Sequence, residues 1–227
     1  MEKKTLPTIR SLTRQLVWPV AFAFAALAFA AAAPAQELQE GKQYVRVKNP
    51  APPADLGKKI EVIEFFSYGC PHCADLEPEM QGWLKTLPPD VQFRRVPVMF
   101  QDRWVALAKI YYTLDALGEE SRLSPEVFKA IHKNGVNLSS DKVFFDWAAS
   151  QGLDRKKVED MYNSFAIAGK MNKAKTEAQQ YTVQSVPMVV VDGKFVTASD
   201  KVGGSHAALP PAISALVVKA RAERPKS

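Results

Sequence analysis

The chain has 227 residues, 47% of them hydrophobic, and its 30 basic and 24 acidic side chains give a net charge of +6. Four basic residues and one acidic residue lie within residues 1–35, so the other 192 residues carry a net charge of only +3. So small a charge argues against nucleic acid as a main partner, because phosphate binding needs a concentrated basic surface. A segment of that length can build one full hydrophobic core, or a core with an inserted second unit.

Residues 1–35 have the composition of a secretory signal peptide. Basic residues lead into an apolar run from Leu16 to Ala33, broken only by Pro19, and the run ends in the small residues Ala33-Pro34-Ala35. We expect bacterial-type export with cleavage after Ala35, which places the protein in the periplasm. An uncleaved signal anchor is the alternative, because about 18 apolar residues approach the length that spans a bilayer.

Two strands are predicted in the next segment. Residues from Tyr44 to Val47 alternate apolar and polar side chains, which is typical of a short strand. A proline-rich connection, Asn49 to Gly57, leads to the β-branched and aromatic run from Ile60 to Phe66. That run predicts a strand buried on both faces of a sheet.

A helix is predicted from Cys70 to about Leu87. Pro71 suits the first helical position, where a missing N–H costs nothing, whereas Pro78 should kink or interrupt the helix. The next strand is predicted from Val91 to Val98. Because it ends near Pro97, it should be an edge strand or stop there.

The following segment has helical periodicity. Apolar stripes with i, i+3, i+4, i+7 spacing run from Trp104 to Tyr111 and from Val158 to Phe165. Ser124-Pro125 is expected to open a helix through N-capping. A further helix containing Phe144 to Ala148 is expected to end at Gly152.

β structure returns near the end of the chain. Met188–Val191 and Lys194–Val196 flank Asp192-Gly193, which predicts a hairpin with a two-residue turn. A last amphipathic helix, with apolar residues from Ile213 to Ala220, follows Pro210-Pro211.

This order of elements predicts an α/β fold with a helical insertion. We expect residues 1–35 to form the signal peptide, and residues 36–100 together with 169–227 to form one discontinuous α/β domain. Residues 101–168 are expected to form an inserted, all-helical domain.

The two cysteines carry the functional signal. An exported protein stabilised by disulfides normally has four or more cysteines, and a bridge across so short a loop as Cys70-Pro71-His72-Cys73 removes little entropy from the unfolded chain. At a helix N-terminus, unpaired N–H groups and the helix dipole stabilise a thiolate at Cys70, and His72 can add a donor or a positive charge. Cys70 is therefore expected to be the exposed, attacking sulfur and Cys73 the buried, resolving one.

Other uses of this motif fit less well. A zinc site needs about four ligands, and His72 would share one helical turn with both thiolates. Covalent haem attachment needs a histidine directly after the second cysteine, where this chain has Ala74. His132 and His206 each stand alone in the sequence and are expected to be surface or packing residues. No metal and no cofactor is expected.

These residues resemble the DsbA family of bacterial periplasmic oxidoreductases. The resemblance rests on Cys-Pro-His-Cys after a strand that ends Glu64-Phe65-Phe66, on the helical insert and on Val186-Pro187, and it runs from about Gly41 through the terminal helix. It implies a thioredoxin-like fold with an inserted all-helical domain. It also implies that the Val186–Pro187 bond is cis and that this loop pairs with an extended substrate peptide beside the cysteines.

The resemblance further implies that Glu64 lies beneath the buried cysteine. A carboxylate in a buried strand needs a partner or a task, and we hypothesise that Glu64 relays the proton that Cys73 gains or loses. The chain departs from some members of that family at Pro78. It also departs at Pro97, where some relatives carry histidine, although Arg95 keeps a basic residue near the site.

The function that follows is thiol–disulfide exchange, in which the Cys70–Cys73 disulfide is donated to unfolded or folding exported proteins. The resemblance implies reoxidation by a DsbB-type inner-membrane oxidase, and we expect a monomer. A reductase or isomerase with the same motif is one alternative. A peptide-binding chaperone with an incidental cysteine pair, or a metal carrier, is another.

Overall fold

A computed structural model describes residues 38–48 and 59–224. Within them lie five strands: β1 Val45–Arg46, β2 Ile60–Phe66, β3 Val91–Pro97, β4 Met188–Val191 and β5 Phe195–Thr197. The same residues form seven α-helices: α1 Pro71–Leu84, α2 Asp102–Ala116, α3 Glu120–His132, α4 Asp141–Ser150, α5 Arg155–Tyr162, α6 Phe165–Gln180 and α7 Leu209–Ala222. Two 3-10 turns, Ser199–Val202 and His206–Ala208, lie between β5 and α7.

The strands form one mixed sheet in the order β1-β5-β4-β2-β3. β2 and β3 are parallel, and the other neighbours are antiparallel. All seven residues of β2 are buried, as its β-branched and aromatic composition predicts. β3 is an edge strand that ends at Pro97, which confirms the interpretation of that proline as a strand terminus.

The apolar side chains of β2 from Ile60 to Phe65 alternate between two hydrophobic clusters, and Phe66 joins the cluster of Phe65. Ile63 and Phe65 belong to a cluster formed with helices α2 to α6, whereas Ile60 and Val62 belong to a cluster formed with α1 and α7. Successive strand residues point to opposite faces, so one strand contributes to both clusters. This layered arrangement places the start of α1 directly at the carboxyl end of β2.

Helices α2 to α6 connect β3 to β4, as predicted for the helical segment. The stripe from Trp104 to Tyr111 is buried on α2, and Gly152 follows α4 with a φ of +86°, the left-handed conformation expected after a helix end. α6 begins before residue 168 and continues to Gln180. The division into separate domains stays a prediction.

α1 continues through Pro78 without the interruption that was one of its two expected effects, and the buried residues Leu76, Met80 and Trp83 pack on either side of that proline. Two other local predictions were wrong. Ser124-Pro125 lies inside α3 rather than at its start. The buried Ser124 hydroxyl donates to Glu120 Oε1, one turn earlier in α3, at 2.8 Å and lies 2.5 Å from the Tyr68 hydroxyl, so it serves interior contacts in place of an N-cap.

The stripe from Val158 to Phe165 was also misread as one helix. α5 ends at Tyr162, and α6 begins at Phe165 with Ser164 as its N-cap, whose hydroxyl accepts from Ile167 N–H. Phe165 is 95% exposed and so does not belong to the buried stripe. The helical spacing therefore continued by chance across a real helix boundary.

The hairpin and the final helix were predicted correctly. Asp192 and Gly193 have φ values of +54° and +64°, and Lys194 N–H donates to the Val191 carbonyl at 3.0 Å. Lys194 lies in the connection, and β5 begins one residue later, at Phe195. The four apolar residues of the predicted stripe, Ile213, Leu216, Val217 and Ala220, are buried on α7.

The signal peptide, its cleavage site and most of the proline-rich connection lie outside the described residues. Among the helices that the structure describes, none has the length and apolar character required to span a bilayer.

Candidate active site

The cysteine motif forms the junction between β2 and α1. Cys70 is the N-cap residue with extended backbone, and Pro71 occupies the first helical position, as predicted. The Cys70 N–H donates to the Ser67 carbonyl at 3.0 Å, and the Cys70 carbonyl accepts from Ala74 N–H at 3.1 Å. The turn after the strand therefore fixes Cys70 at the end of the helix where backbone N–H groups are unpaired.

The two sulfurs have opposite electrostatic environments. The pKa of Cys70 is lowered to about 6, chiefly by the hydrogen bond from the Cys73 thiol, against an opposing effect of burial. The backbone N–H groups of Cys73 and His72, and then the charge of His72, lower it further. The pKa of Cys73 is raised, first by burial, then by its hydrogen bond and proximity to Cys70, and then by the charge of Glu64.

The expected exposure of Cys70 was wrong. Cys70 is 5% exposed and Cys73 is 1% exposed, so both side chains are buried. The reason is the loop before β4, whose Val186 carbonyl oxygen lies 3.5 Å from the Cys70 Sγ. This loop covers a sulfur that helix position alone would leave open.

The same loop contains the proline singled out from the sequence. The Val186–Pro187 peptide bond is cis, as the family resemblance implies. Beside the loop lies a cavity of about 320 Å³, lined by His72, Val186 and Pro187 together with residues that follow β5. The cysteine motif and the proline loop thus meet at one opening, although they are separated by more than 100 residues in sequence.

The three histidines differ in their surroundings. His72 is exposed, and its ring centroid lies 6.1 Å from that of the half-buried His206, a neighbour that the sequence did not indicate. His132 fits its predicted packing role, since its Nε2 lies 2.7 Å from the Tyr68 carbonyl oxygen and its ring packs near Phe128.

Glu64 lies in a buried ion network centred on Arg95. The Arg95 guanidinium donates from Nε to Glu64 at 2.8 Å, from Nη2 to Glu77 at 2.5 Å and from Nη1 to Glu120 at 3.2 Å. The side chains of Arg95 and Glu64 are each 2% exposed, whereas that of Glu120 is 21% exposed. The network therefore extends from the region below Cys73 toward the surface.

Two members of this network were missed in the sequence. Burial raises the pKa of Glu77, and the neighbouring Arg95 charge opposes that effect. Glu77 follows the buried Leu76 in α1. An acidic residue beside a buried helix face could have indicated a buried carboxylate that needs a partner. Glu120 carried no comparable signal, because its contact with Arg95 depends on how α3 packs against the sheet.

The comparisons with known proteins agree with this geometry. A family model described as a DSBA-like thioredoxin domain matches residues 61–209. The thiol:disulfide interchange protein DsbA of Bordetella parapertussis is 40% identical over 83% of this chain and 90% of its own length. The crystal structure of Pseudomonas aeruginosa DsbA superposes with a TM-score of 0.77 at 38% identity, covering 82% of this chain and 95% of that one.

Proposed function

Because the chain belongs to the DsbA family of thiol:disulfide oxidoreductases, we propose that it donates the Cys70–Cys73 disulfide to newly exported proteins. The observation that carries the proposal is the asymmetry of the two sulfurs. Cys70 is stabilised as a thiolate where α1 begins, while Cys73 is held as a buried thiol one turn later.

This asymmetry sets the direction of exchange. A disulfide becomes a stronger oxidant when its reduced, anionic form is stabilised, because the equilibrium follows the free-energy difference between the two forms. The environment of Cys70 stabilises that anion below neutral pH. The protein should therefore transfer its disulfide readily to a substrate dithiol.

The cycle has two exchange steps. A substrate thiolate attacks the Cys70 sulfur, the Cys70–Cys73 bond breaks, and Cys73 leaves and takes up a proton, as its raised pKa favours. A second substrate thiolate then attacks the substrate sulfur of the mixed disulfide and releases Cys70 as a thiolate. Glu64, whose charge acts on Cys73, is the proposed relay for the proton that Cys73 takes up in the first step.

Substrate binding is assigned to the opening beside the cis proline. The cavity at Val186 and Pro187 adjoins Cys70, and an extended peptide can pair there with the loop backbone, as in strand addition. Pro71 presets the first turn of α1, and His72 supports the Cys70 anion.

Compartment and partners follow from the family and the N-terminal composition. We assign the protein to the periplasm as a monomer, with unfolded or folding exported chains as substrates. A DsbB-type inner-membrane oxidase would restore the disulfide. The cysteine pair itself carries the electrons, so the proposed reaction needs no cofactor.

The test is the equilibrium of this dithiol with a glutathione redox buffer, together with oxidation of a reduced, unfolded protein. We expect the disulfide to be far more oxidising than that of a reducing thioredoxin, and Cys70→Ser to abolish disulfide formation. A potential in the range of reducing thioredoxins would reject the donor role. A Cys70→Ser variant that still promoted folding through binding alone would favour the chaperone alternative.

A further inference from the structure

The exposed side of the active site carries a group of metal-ligating side chains that thiol–disulfide exchange does not use together. One ligand atom from each of His72, Asp75 and His206 lies within 4.8 Å of the other two. His72 and Asp75 are three residues apart in the first turn of α1, so they share one helix face. His206 comes from the 3-10 turn that packs against that face.

The donor set matches a borderline divalent transition metal. Two imidazoles and one carboxylate suit Zn²⁺ and its neighbours, whereas Mg²⁺ and Ca²⁺ prefer all-oxygen sites. In tetrahedral zinc sites with bonds of about 2.0–2.1 Å, ligand atoms lie roughly 3.4 Å apart. The present separations of up to 4.8 Å therefore need to shorten by at most about 1.4 Å, which rotation of the exposed side chains of His72 and Asp75 can supply.

A second observation concerns the orientation of His206. Its Nδ1 lies 3.0 Å from the hydroxyl oxygen of Ser199, a buried residue of the preceding 3-10 turn. Histidines that bind metals commonly hold their other ring nitrogen in such a hydrogen bond, which fixes the tautomer and the ring orientation. In the tautomer in which Nδ1–H donates to Ser199, Nε2 carries the lone pair that a metal ligand needs.

We propose that His72, Asp75 and His206 bind one Zn²⁺ ion at the opening beside Pro187. None of the three ligands is a cysteine, but His72 lies between Cys70 and Cys73, so the ion would adjoin the cysteine pair. The ion would stand at the edge of the cavity assigned to the substrate peptide, with its fourth position open to water or to a substrate side chain.

The test uses untagged protein with its disulfide oxidised, so that neither cysteine can bind metal as a thiolate. A calorimetric titration with Zn²⁺ alone, in chelator-free buffer, should show that one ion binds per chain. Asp75→Asn and His206→Asn should each weaken binding about tenfold or more, and His132→Asn, the matched control, should bind as the wild type does. In NMR spectra of the three histidine rings, the signals of His72 and His206 should move and that of His132 should not.

Two results would overturn the site. One is the absence of Zn²⁺ binding by the oxidised wild-type protein at millimolar metal. The other is equal affinity in the wild type and the Asp75→Asn variant, which alters an exposed helix residue and so keeps the test valid if His206→Asn fails to fold. Neither result depends on oxidase activity, so the site and the proposed function fail separately.

Discussion

At the scale of single residues, the two cysteines differ because they occupy different positions of one helical turn. Cys70 is the N-cap, where the N–H groups of His72 and Cys73 face its sulfur, and Cys73 lies one turn inside, where burial disfavours charge. The hydrogen bond between the sulfurs lowers the pKa of Cys70 and raises that of Cys73. Backbone position thus produces a donor–acceptor pair from two identical side chains.

The proposed role of Glu64 leads to a prediction for the Glu64→Gln variant. The Glu64 charge raises the pKa of Cys73, so removing it should lower that pKa. If Glu64 also relays the proton, substrate oxidation should slow by about tenfold or more, within the range that general acid–base groups contribute. Cys73 titration in a Cys70→Ser background and single-turnover oxidation of a peptide dithiol measure the two effects.

Glu61→Gln is the matched control for this experiment. Glu61 lies on the same strand, is also buried and pairs with an arginine, Arg94, at 2.6 Å, but its charge is not among the main causes of the raised Cys73 pKa. Glu61→Gln should leave both the titration and the rate unchanged. A Glu64→Gln variant with wild-type Cys73 titration and wild-type rate would remove Glu64 from the mechanism.

At the scale of elements, Arg95 connects its own strand, β3, to three other elements. Its guanidinium on β3 contacts Glu64 of β2, Glu77 of α1 and Glu120 of α3. Replacing it by methionine leaves these carboxylates without their shared positive charge, and removing one partner from a buried ion pair costs about 3–5 kcal/mol. We expect Arg95→Met to lower the free energy of unfolding, measured in urea, by that amount.

A surface arginine provides the comparison for Arg95. Arg46 pairs with Glu223 at 2.7 Å, but its side chain is 42% exposed. Exposed ion pairs are worth about 0–1 kcal/mol, so Arg46→Met should change the unfolding free energy by no more than that. Equal effects of the two substitutions would mean that the Arg95 network does not hold the elements together.

The junction before the cysteines depends on a glycine. A Cβ at Gly69 would overlap the Trp104 indole, with its Cδ1 at 2.8 Å, and would crowd Leu107 of the same helix. Gly69→Ala should therefore destabilise the protein by about 1–3 kcal/mol, as overpacked positions do. Gly82→Ala, at an exposed α1 position where the added Cβ meets no described atom within 4 Å beyond the backbone of its own helix, should stabilise it by about 0.5–1 kcal/mol. Thermal unfolding of both variants gives the sign of each effect, and stabilisation by Gly69→Ala would contradict the packing argument.

Local sequence patterns predicted most elements, and the helix start expected at Ser124 failed because that residue makes contacts inside the fold. The strand from Ile60 to Phe66, the α2 stripe and the Asp192-Gly193 turn are encoded by neighbouring residues, so their patterns were sufficient. Ser124-Pro125 has the residues of a helix N-cap, but the Ser124 hydroxyl bonds Glu120 within α3 and Tyr68 from the segment after β2. A tertiary contact such as the one with Tyr68 does not produce a periodic pattern in the sequence, so the sequence could not predict it.

The site shows the same limit. Motif and family resemblance pointed to Cys70, His72, Cys73 and the cis bond before Pro187. The covering of Cys70 by Val186 and the approach of His206 to His72 bring together residues more than 100 positions apart. Only the packing of the loops that precede β4 and α7 against α1 creates those contacts.

At the scale of the whole molecule, redox state and folding stability are linked through Cys70. The oxidised protein has no Cys70 thiolate, whereas in the reduced protein the pKa of Cys70 falls from an ordinary value of 9.0 to about 6 on folding. A lowered folded-state pKa contributes stability that is fully present above the unfolded pKa and is lost as pH falls through the folded one. The raised pKa of Cys73 acts only above pH 9, outside this window.

The reduced protein should therefore gain stability over the oxidised protein as pH rises from 6 to 9, by up to about 4 kcal/mol in total. Urea unfolding of both redox forms at several pH values measures this gap, with a non-thiol reductant holding the reduced form. Groups that titrate alike in both forms cancel in the difference, and reduced Cys70→Ser should lack the pH-dependent gain. A gap that stays constant from pH 5 to 9 would show that folding does not stabilise the Cys70 anion, and with it the driving force for disulfide donation would disappear.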